Sequence, residues 1–215
     1  MKVLITGTSE GIGKAIALKF IAEGHEVIGI DKEQATIKNE LYTHINKNIC
    51  DKDLPKIEDV EVLINNAGVQ ESGNDIDVNL KGTIAITEKY GIQDKIKSII
   101  FIASASARTG AEFPEYVASK GGMVAYMKNV ALRIAQYGAT SNSISAGGVT
   151  TKLNEHIIND PILWQQVLDE TLLNKWASAE EIAEFAYFIA VVNKSMSGED
   201  IFIDNGEALK SNFIW

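Results

Sequence analysis

A chain of 215 residues, 46% of them hydrophobic and 23% charged, is long enough to bury one substantial core, and no linker, internal repeat or low-complexity tract divides it. The formal net charge of −9 argues against nucleic acid and anionic membranes as main partners. The single Cys50 excludes an internal disulfide and a multi-cysteine metal site, and the scattered His25, His44 and His156 lack ligand spacing, so no metal is expected. The sequence runs directly into a predicted strand, leaving no room for a signal peptide, and no apolar run reaches membrane-spanning length; both predict a soluble cytoplasmic protein.

The first predicted strand, near 3–6, leads into Thr6-Gly7-Thr8-Ser9-Glu10-Gly11-Ile12-Gly13 and a helix over about 12–23. Glycine at 7, 11 and 13 is what a phosphate cradle needs. The backbone turns tightly, an anion approaches without a Cβ in the way, and the free N–H groups of the helix start point at it. Ile12, Ile16 and Phe20 recur every four residues as a core stripe, and Gly24 stands where a glycine ends a helix. Gly7-Thr8-Ser9-Glu10-Gly11 also fits G-x-S-x-G, the nucleophile elbow of α/β-hydrolases, but that elbow follows several strands and here a single strand precedes Ser9.

Further strands are predicted near 26–30, 43–49, 61–65, 97–103, 140–145 and 200–203, with helices over about 76–90, 115–137 and 179–192. This alternation predicts a single α/β domain, a Rossmann-like doubly wound parallel sheet of about seven strands with helices on both faces. Ligands of such sheets sit beyond the carboxyl ends of the strands. There the sequence places Asp31, about 20 positions past the glycine turn, where a carboxylate accepts hydrogen bonds from ribose hydroxyls. Asn48-Ile49-Cys50-Asp51 follows the third strand, Asn65-Asn66-Ala67-Gly68 the fourth, and Ser104 and Ser106 the fifth.

Tyr116 and Lys120 are four apart on a predicted helix and share a face. A phenol used as an acid or base near neutral pH must shift by about three units, about 4 kcal/mol. A lysine ammonium at about 4 Å supplies about that much at an effective dielectric of 20. A serine beside the phenol then holds a carbonyl oxygen while the phenol gives it a proton.

Together these elements resemble the short-chain dehydrogenase/reductase family, in its TGxxxGxG, NNAG and YxxxK form, over essentially the whole chain. Asn79 in Val78-Asn79-Leu80-Lys81-Gly82 stands where that family carries its catalytic asparagine, and Asn142 to Thr151 resembles the stretch near the nicotinamide amide. The resemblance implies catalysis by Tyr116 as proton donor and acceptor, Ser104 orienting the substrate oxygen with Ser106 as the fallback, Lys120 lowering the phenol pKa and holding the nicotinamide ribose, and Asn79 supporting a proton relay. It implies cofactor binding by Gly7, Ser9, Glu10, Gly11, Ile12, Gly13, Asp31, Asn48, Ile49, Asn66, Ala67, Gly68, Tyr116, Lys120, Gly147, Val149 and Thr151. The cofactor half is then about 1–103 and the catalytic half about 104–215.

Asp31 and Glu10 favour NAD over NADP as the cofactor, since a 2′-phosphate would meet negative charge. The expected activity is hydride transfer between a nicotinamide and a small-molecule carbonyl or secondary alcohol; the other reading is a non-catalytic nucleotide-binding redox sensor on the same fold. Apolar residues in the helix after Tyr116 and in the tail Phe213-Ile214-Trp215 predict a homo-oligomer, a tetramer or dimer. The 151–176 segment is the expected lid, and the short 69–78 connection predicts an open site. Ala146 and Ala179 stand where the family carries proline, which predicts two loosened loops.

Overall fold

The computed structural model describes residues 1–111 and 113–209. Its strands are β1 (Lys2–Thr6), β2 (Glu26–Asp31), β3 (Tyr42–Asn46), β4 (Val62–Asn65), β5 (Ser98–Ser104), β6 (Thr140–Ala146), β7 (Val149–Thr150), β8 (Ala177–Ser178) and β9 (Asp200–Ile203). The short β7 and β8 pair with each other, and the other seven form one sheet in the order β3-β2-β1-β4-β5-β6-β9. Every pair in that sheet is parallel, so all carboxyl ends share one edge.

The helices are α1 (Gly11–Ala22), α2 (Thr83–Tyr90), α3 (Ser106–Thr109), α4 (Pro114–Ile134), α5 (Glu155–Ile158), α6 (Pro161–Asp169) and α7 (Ala179–Tyr187). A π-helical segment, Ile76–Gly82, runs straight into α2, and a second, Phe188–Val192, extends α7. Successive strand residues point to opposite faces, so Val3 and Ile5 join one core with Ile16 and Phe20 of α1 and Ile182 and Ala186 of α7. Leu4 joins the other, with Ile86 of α2 and Met123, Met127 and Val130 of α4. Helices thus cover both faces, which is why β1, β4 and β5 are mainly apolar, whereas the buried polar side chains of β6 are hydrogen-bonded, Ser141 to Met127 O, Asn142 to Met196 O, and Ser143 and Ser145 to Asp200.

Several expectations shift in detail. The third strand ends at Asn46 rather than 49. Beyond it a turn takes over, in which Asp51 N–H donates to Asn48 O, Cys50 N–H to Asn48 Oδ1 and Asn48 N–H to Asp51 Oδ2. Ala146 does not loosen a loop: it ends β6, paired with Ser104 and Ile203. Ala179 opens α7 behind a capping box, in which Ser178 and Glu181 each satisfy the other's backbone N–H. The short 69–78 connection is internally tied, since buried Asp75 accepts from Glu71 N–H, Ser72 N–H and the Ser72 hydroxyl. The tail at 213–215 lies outside the described residues.

Candidate active site

The glycine turn is buttoned to the end of β4. Thr6 Oγ1 accepts from Asn66 N–H and Ala67 N–H, both at 3.0 Å, and Asn66 Nδ2 donates to Thr6 O and Gly7 O. Gly7 lies at φ +75° and Gly11 at φ +58°, the left-handed region that favours glycine. A Cβ on Gly13 would fall 2.0 Å from Gly7 O, so α1 packs against its own turn only with glycine there. A Cβ on Gly11 would instead face Thr151 at 3.7 Å. A cavity of about 270 Å³ opens beside them, with Lys14 and Lys152 on its walls. Glu180 lines the same cavity, so what fits the pyrophosphate of a dinucleotide is the space and the helix-start N–H groups beside the glycines.

Asp31, predicted to meet the adenosine ribose, ends β2 beside the glycine turn. Its Oδ2 accepts from Ser9 N–H and its Oδ1 from Glu33 N–H, both at 2.9 Å. A carboxylate has about four acceptor positions, so room remains for ribose hydroxyls. Glu10 is exposed and lies 3.8 Å from the Lys152 ammonium. Ile49 packs its side chain into the core, while Asn48 is half-buried.

The predicted catalytic residues come from different elements that meet at the carboxyl edge. Asn79, fully buried in the π-helical segment, accepts from Val69 N–H at 2.7 Å and donates to Val69 O at 2.8 Å and to Ser119 Oγ at 3.0 Å. Ser119 in turn donates to Tyr116 O. A Cβ on Gly68 would lie 3.0 Å from Asn79 Oδ1 and 3.6 Å from Lys120 Nζ, which brings NNAG, Asn79 and Lys120 into one place. Lys120 is buried, donates to Ile102 O at 2.9 Å and has its Nζ 5.6 Å from the centre of the Tyr116 ring. Tyr116 itself is half-buried.

Ser104 and Ser106 are hydrogen-bonded to each other. The hydroxyl and the N–H of Ser106 both donate to Ser104 Oγ, at 2.9 and 3.2 Å. With both acceptor positions filled, the Ser104 hydrogen is what that hydroxyl still has to give.

At the nicotinamide side, Val149 is buried in β7 and its carbonyl accepts from Asn154 Nδ2. Gly147 lies against Asp204 and Glu207, and Gly148 against the Trp176 ring, each too close for a Cβ. Burial pushes the Glu207 carboxyl up, and the charges of Asp204 and Glu170 push the same way. Trp164 packs edge-on against Trp176 at 5.2 Å.

Nothing in the sequence pattern singles out Tyr42, His44 or Ser119, whose roles come from partners distant in the chain. Tyr42 OH lies 2.7 Å from Thr8 Oγ1 in the glycine turn. A polar alternation on an edge strand was the available signal, and it reads equally as a solvated face.

Sheet order and helix-starting glycine turn together define a Rossmann-like α/β protein. A family model described as enoyl-(acyl carrier protein) reductase matches residues 56–207. A 3-oxoacyl-acyl-carrier-protein reductase of Buchnera aphidicola is 30% identical over 235 residues, covering 94% of this chain and 95% of the relative. A glucose 1-dehydrogenase of Gluconobacter oxydans is 27% identical, covering 99% and 93%. The crystal structure of a short chain dehydrogenase family protein from Francisella tularensis superposes with a TM-score of 0.83 at 26% identity, covering 97% and 99%. The chain belongs to the short-chain dehydrogenase/reductase family of oxidoreductases. The alignment to the Buchnera protein has more positions than this chain has residues, so that relative carries residues with no counterpart here. Among the described residues, no helix is long and apolar enough to cross a membrane.

Proposed function

We propose that this chain is an NAD(H)-dependent enzyme that interconverts a small carbonyl compound and its secondary alcohol. The observation that carries the reading is the buried Lys120 ammonium beneath the Tyr116 ring, on the same carboxyl edge as a Ser104 hydroxyl whose acceptor positions Ser106 fills. In this reading Ser104 donates to the carbonyl oxygen and fixes its place. Tyr116 gives its phenolic proton to that oxygen, and Lys120 stabilises the phenolate left behind. Asn79 keeps the backbone at Val69 and the start of α4 in register with that site, through its bonds to Val69 and Ser119. A dinucleotide held by its pyrophosphate at the glycine turn would supply or accept the hydride through its nicotinamide.

NAD rather than NADP is the reading that Asp31 supports, because a 2′-phosphate would meet its carboxylate, and the neighbouring Lys32 ammonium lies 4.0 Å from the Glu33 carboxylate. By their names, one of the two relatives above reduces a 3-oxoacyl group on an acyl carrier protein and the other dehydrogenates glucose. The substrate is therefore held here to the class of carbonyls and secondary alcohols. Assembly into a homo-oligomer is part of the proposal; of the α4 residues behind that expectation, Met123 and Met127 are buried in the chain's own core and Leu132 is 79% exposed. A sedimentation run showing only the 23.4 kDa species at micromolar concentration would remove that part. The central test is NADH oxidation against a panel of ketones, aldehydes and aldoses. Turnover with at least one is expected, while NADH binding without turnover on any would favour the redox-sensor reading.

A further inference from the structure

One face of the edge strand β3 organises both sides of Asp31. Tyr42, His44 and Asn46 are two apart and so lie on the same face. The Tyr42 hydroxyl sits 2.7 Å from Thr8 Oγ1 and 2.8 Å from His44 Nδ1, and His44 Nε2 is 2.9 Å from Glu33 O. A carbonyl only accepts, so Nε2 carries the hydrogen; in a neutral imidazole Nδ1 then accepts, the Tyr42 hydroxyl donates to it, and Thr8 donates to Tyr42. The chain of donors therefore runs one way, from the glycine turn to the 32–36 loop. Burial and the Asp31 charge push the Tyr42 phenol up, so it keeps the proton this chain needs.

The loop it reaches has no helix of its own. Asn46 Nδ2 donates to Lys32 O at 2.8 Å and Glu33 O at 2.9 Å, and Thr36 Oγ1 donates to Ser9 O at 2.6 Å. Room for the chain is made on β2: a Cβ on Gly29 would lie 2.3 Å from both Thr8 Oγ1 and the Tyr42 hydroxyl. The two N–H groups that aim the Asp31 carboxylate come from Ser9 and Glu33, one on each side of this chain.

We propose that Tyr42 and His44 are positioning residues for the adenosine side of the nucleotide pocket, holding the glycine turn and the 32–36 loop at the spacing that aims Asp31. The inference rests on the dinucleotide reading above and concerns only how this chain builds that pocket. Its prediction is specific to the nucleotide's adenosine half.

The test is calorimetric binding of NADH, NADPH and ADP-ribose to the full chain and to Tyr42→Phe and His44→Asn. Each variant should bind NADH and ADP-ribose about tenfold more weakly and by the same factor, the size of one lost buried hydrogen bond. The NADH-to-NADPH preference should shrink, and the double variant should lose no more than the weaker single one, because both break one chain. Thr8→Ser, which keeps the hydroxyl, should bind as the parent does, whereas Thr8→Val should repeat the loss and replaces Tyr42→Phe if that variant does not fold. Folded variants that bind all three nucleotides within about twofold of the parent overturn the proposal and leave the chain of bonds as packing. A parent that binds neither NADH nor ADP-ribose overturns the dinucleotide reading and this inference with it.

Discussion

The glycine-turn side and the 151–176 side of this molecule, read above as its nucleotide and substrate sides, are built by opposite means. Around the glycine turn, Thr6, Asn66, Asp31 and Tyr42 each have partners inside the fold, and Gly13 and Gly29 leave no space for a Cβ. Across the sheet edge, none of the residues of α5 or α6 is buried, and Leu153 and Ile162 are 65% and 75% exposed. The 151–176 segment meets the rest of the fold through Asn154 Nδ2 on Val149 O, Leu172 against Gly206, Leu173 N–H on Asn205 O, the Lys175–Glu181 ion pair and the Trp176 ring on Gly148, while the Trp164–Trp176 contact and the Asp160 cap of α6 tie it internally. Segments with few buried contacts open at low free-energy cost, whereas a locked hydrogen-bond network opens only with the domain. On the proposed reading, the cofactor has a fixed seat and α5 and α6 form a deformable cover over the substrate pocket.

The contrast can be broken chemically. Tyr116→Phe removes a proton donor that acts in the transition state and little else, so turnover should fall about 100-fold or more while the NADH dissociation constant stays within about threefold. Stopped-flow rates beside calorimetry would check it; a variant retaining a tenth of the parent rate would show that the acid lies elsewhere. On the rigid side, Asp31 should give at least about tenfold tighter binding of NADH than of NADPH, one charged hydrogen bond's worth. Equal dissociation constants would remove the carboxylate from that role.

On the deformable side, Trp164→Ala should change KM for carbonyl substrates by up to about tenfold, unequally across them, without moving the pH dependence set by Tyr116 and Lys120. Unchanged KM values for every substrate would leave the segment as mere packing. The smallest effect belongs to Glu207, which is half-buried against Gly147 with its carboxyl pushed up from 4.5. A carboxyl whose folded pKa is raised contributes stability below its unfolded value and loses it as pH rises through the raised one. Glu207→Gln should therefore raise the melting temperature at pH 7 by a few degrees and leave it unchanged near pH 4. A loss at neutral pH would mean the charge itself is needed.

How much of this was legible depended on where each signal is stored. Buried parallel strands write themselves as apolar runs, so β1, β2, β4 and β5 emerge from the sequence within a residue or two of their ends, as does the half-buried edge strand β9. β7 and β8, two residues each, are too short to leave a period, and the π-helical segments share the periodicity of ordinary helix. The strand predicted to 49 ends at Asn46 because Asn48 and Asp51 bond each other's backbone, a choice that apolar pattern does not encode. At the site, spacing found Tyr116 and Lys120 because they are helical neighbours. Ser106 as the donor to Ser104, and Tyr42 as the partner of Thr8, are tertiary facts that only the folded chain reveals.

The account stands on hydride transfer at the carboxyl edge, and the most direct measurement is the fate of that hydrogen. NADH deuterated on the transferring face of its nicotinamide should be incubated with the carbonyl that supports fastest turnover, and the alcohol analysed by mass spectrometry and proton NMR. The account predicts one deuterium on the former carbonyl carbon, present with the parent enzyme and lost with Tyr116→Phe. An alcohol without deuterium from either face of the cofactor, or a Tyr116→Phe variant that labels it at the parent rate, would contradict it.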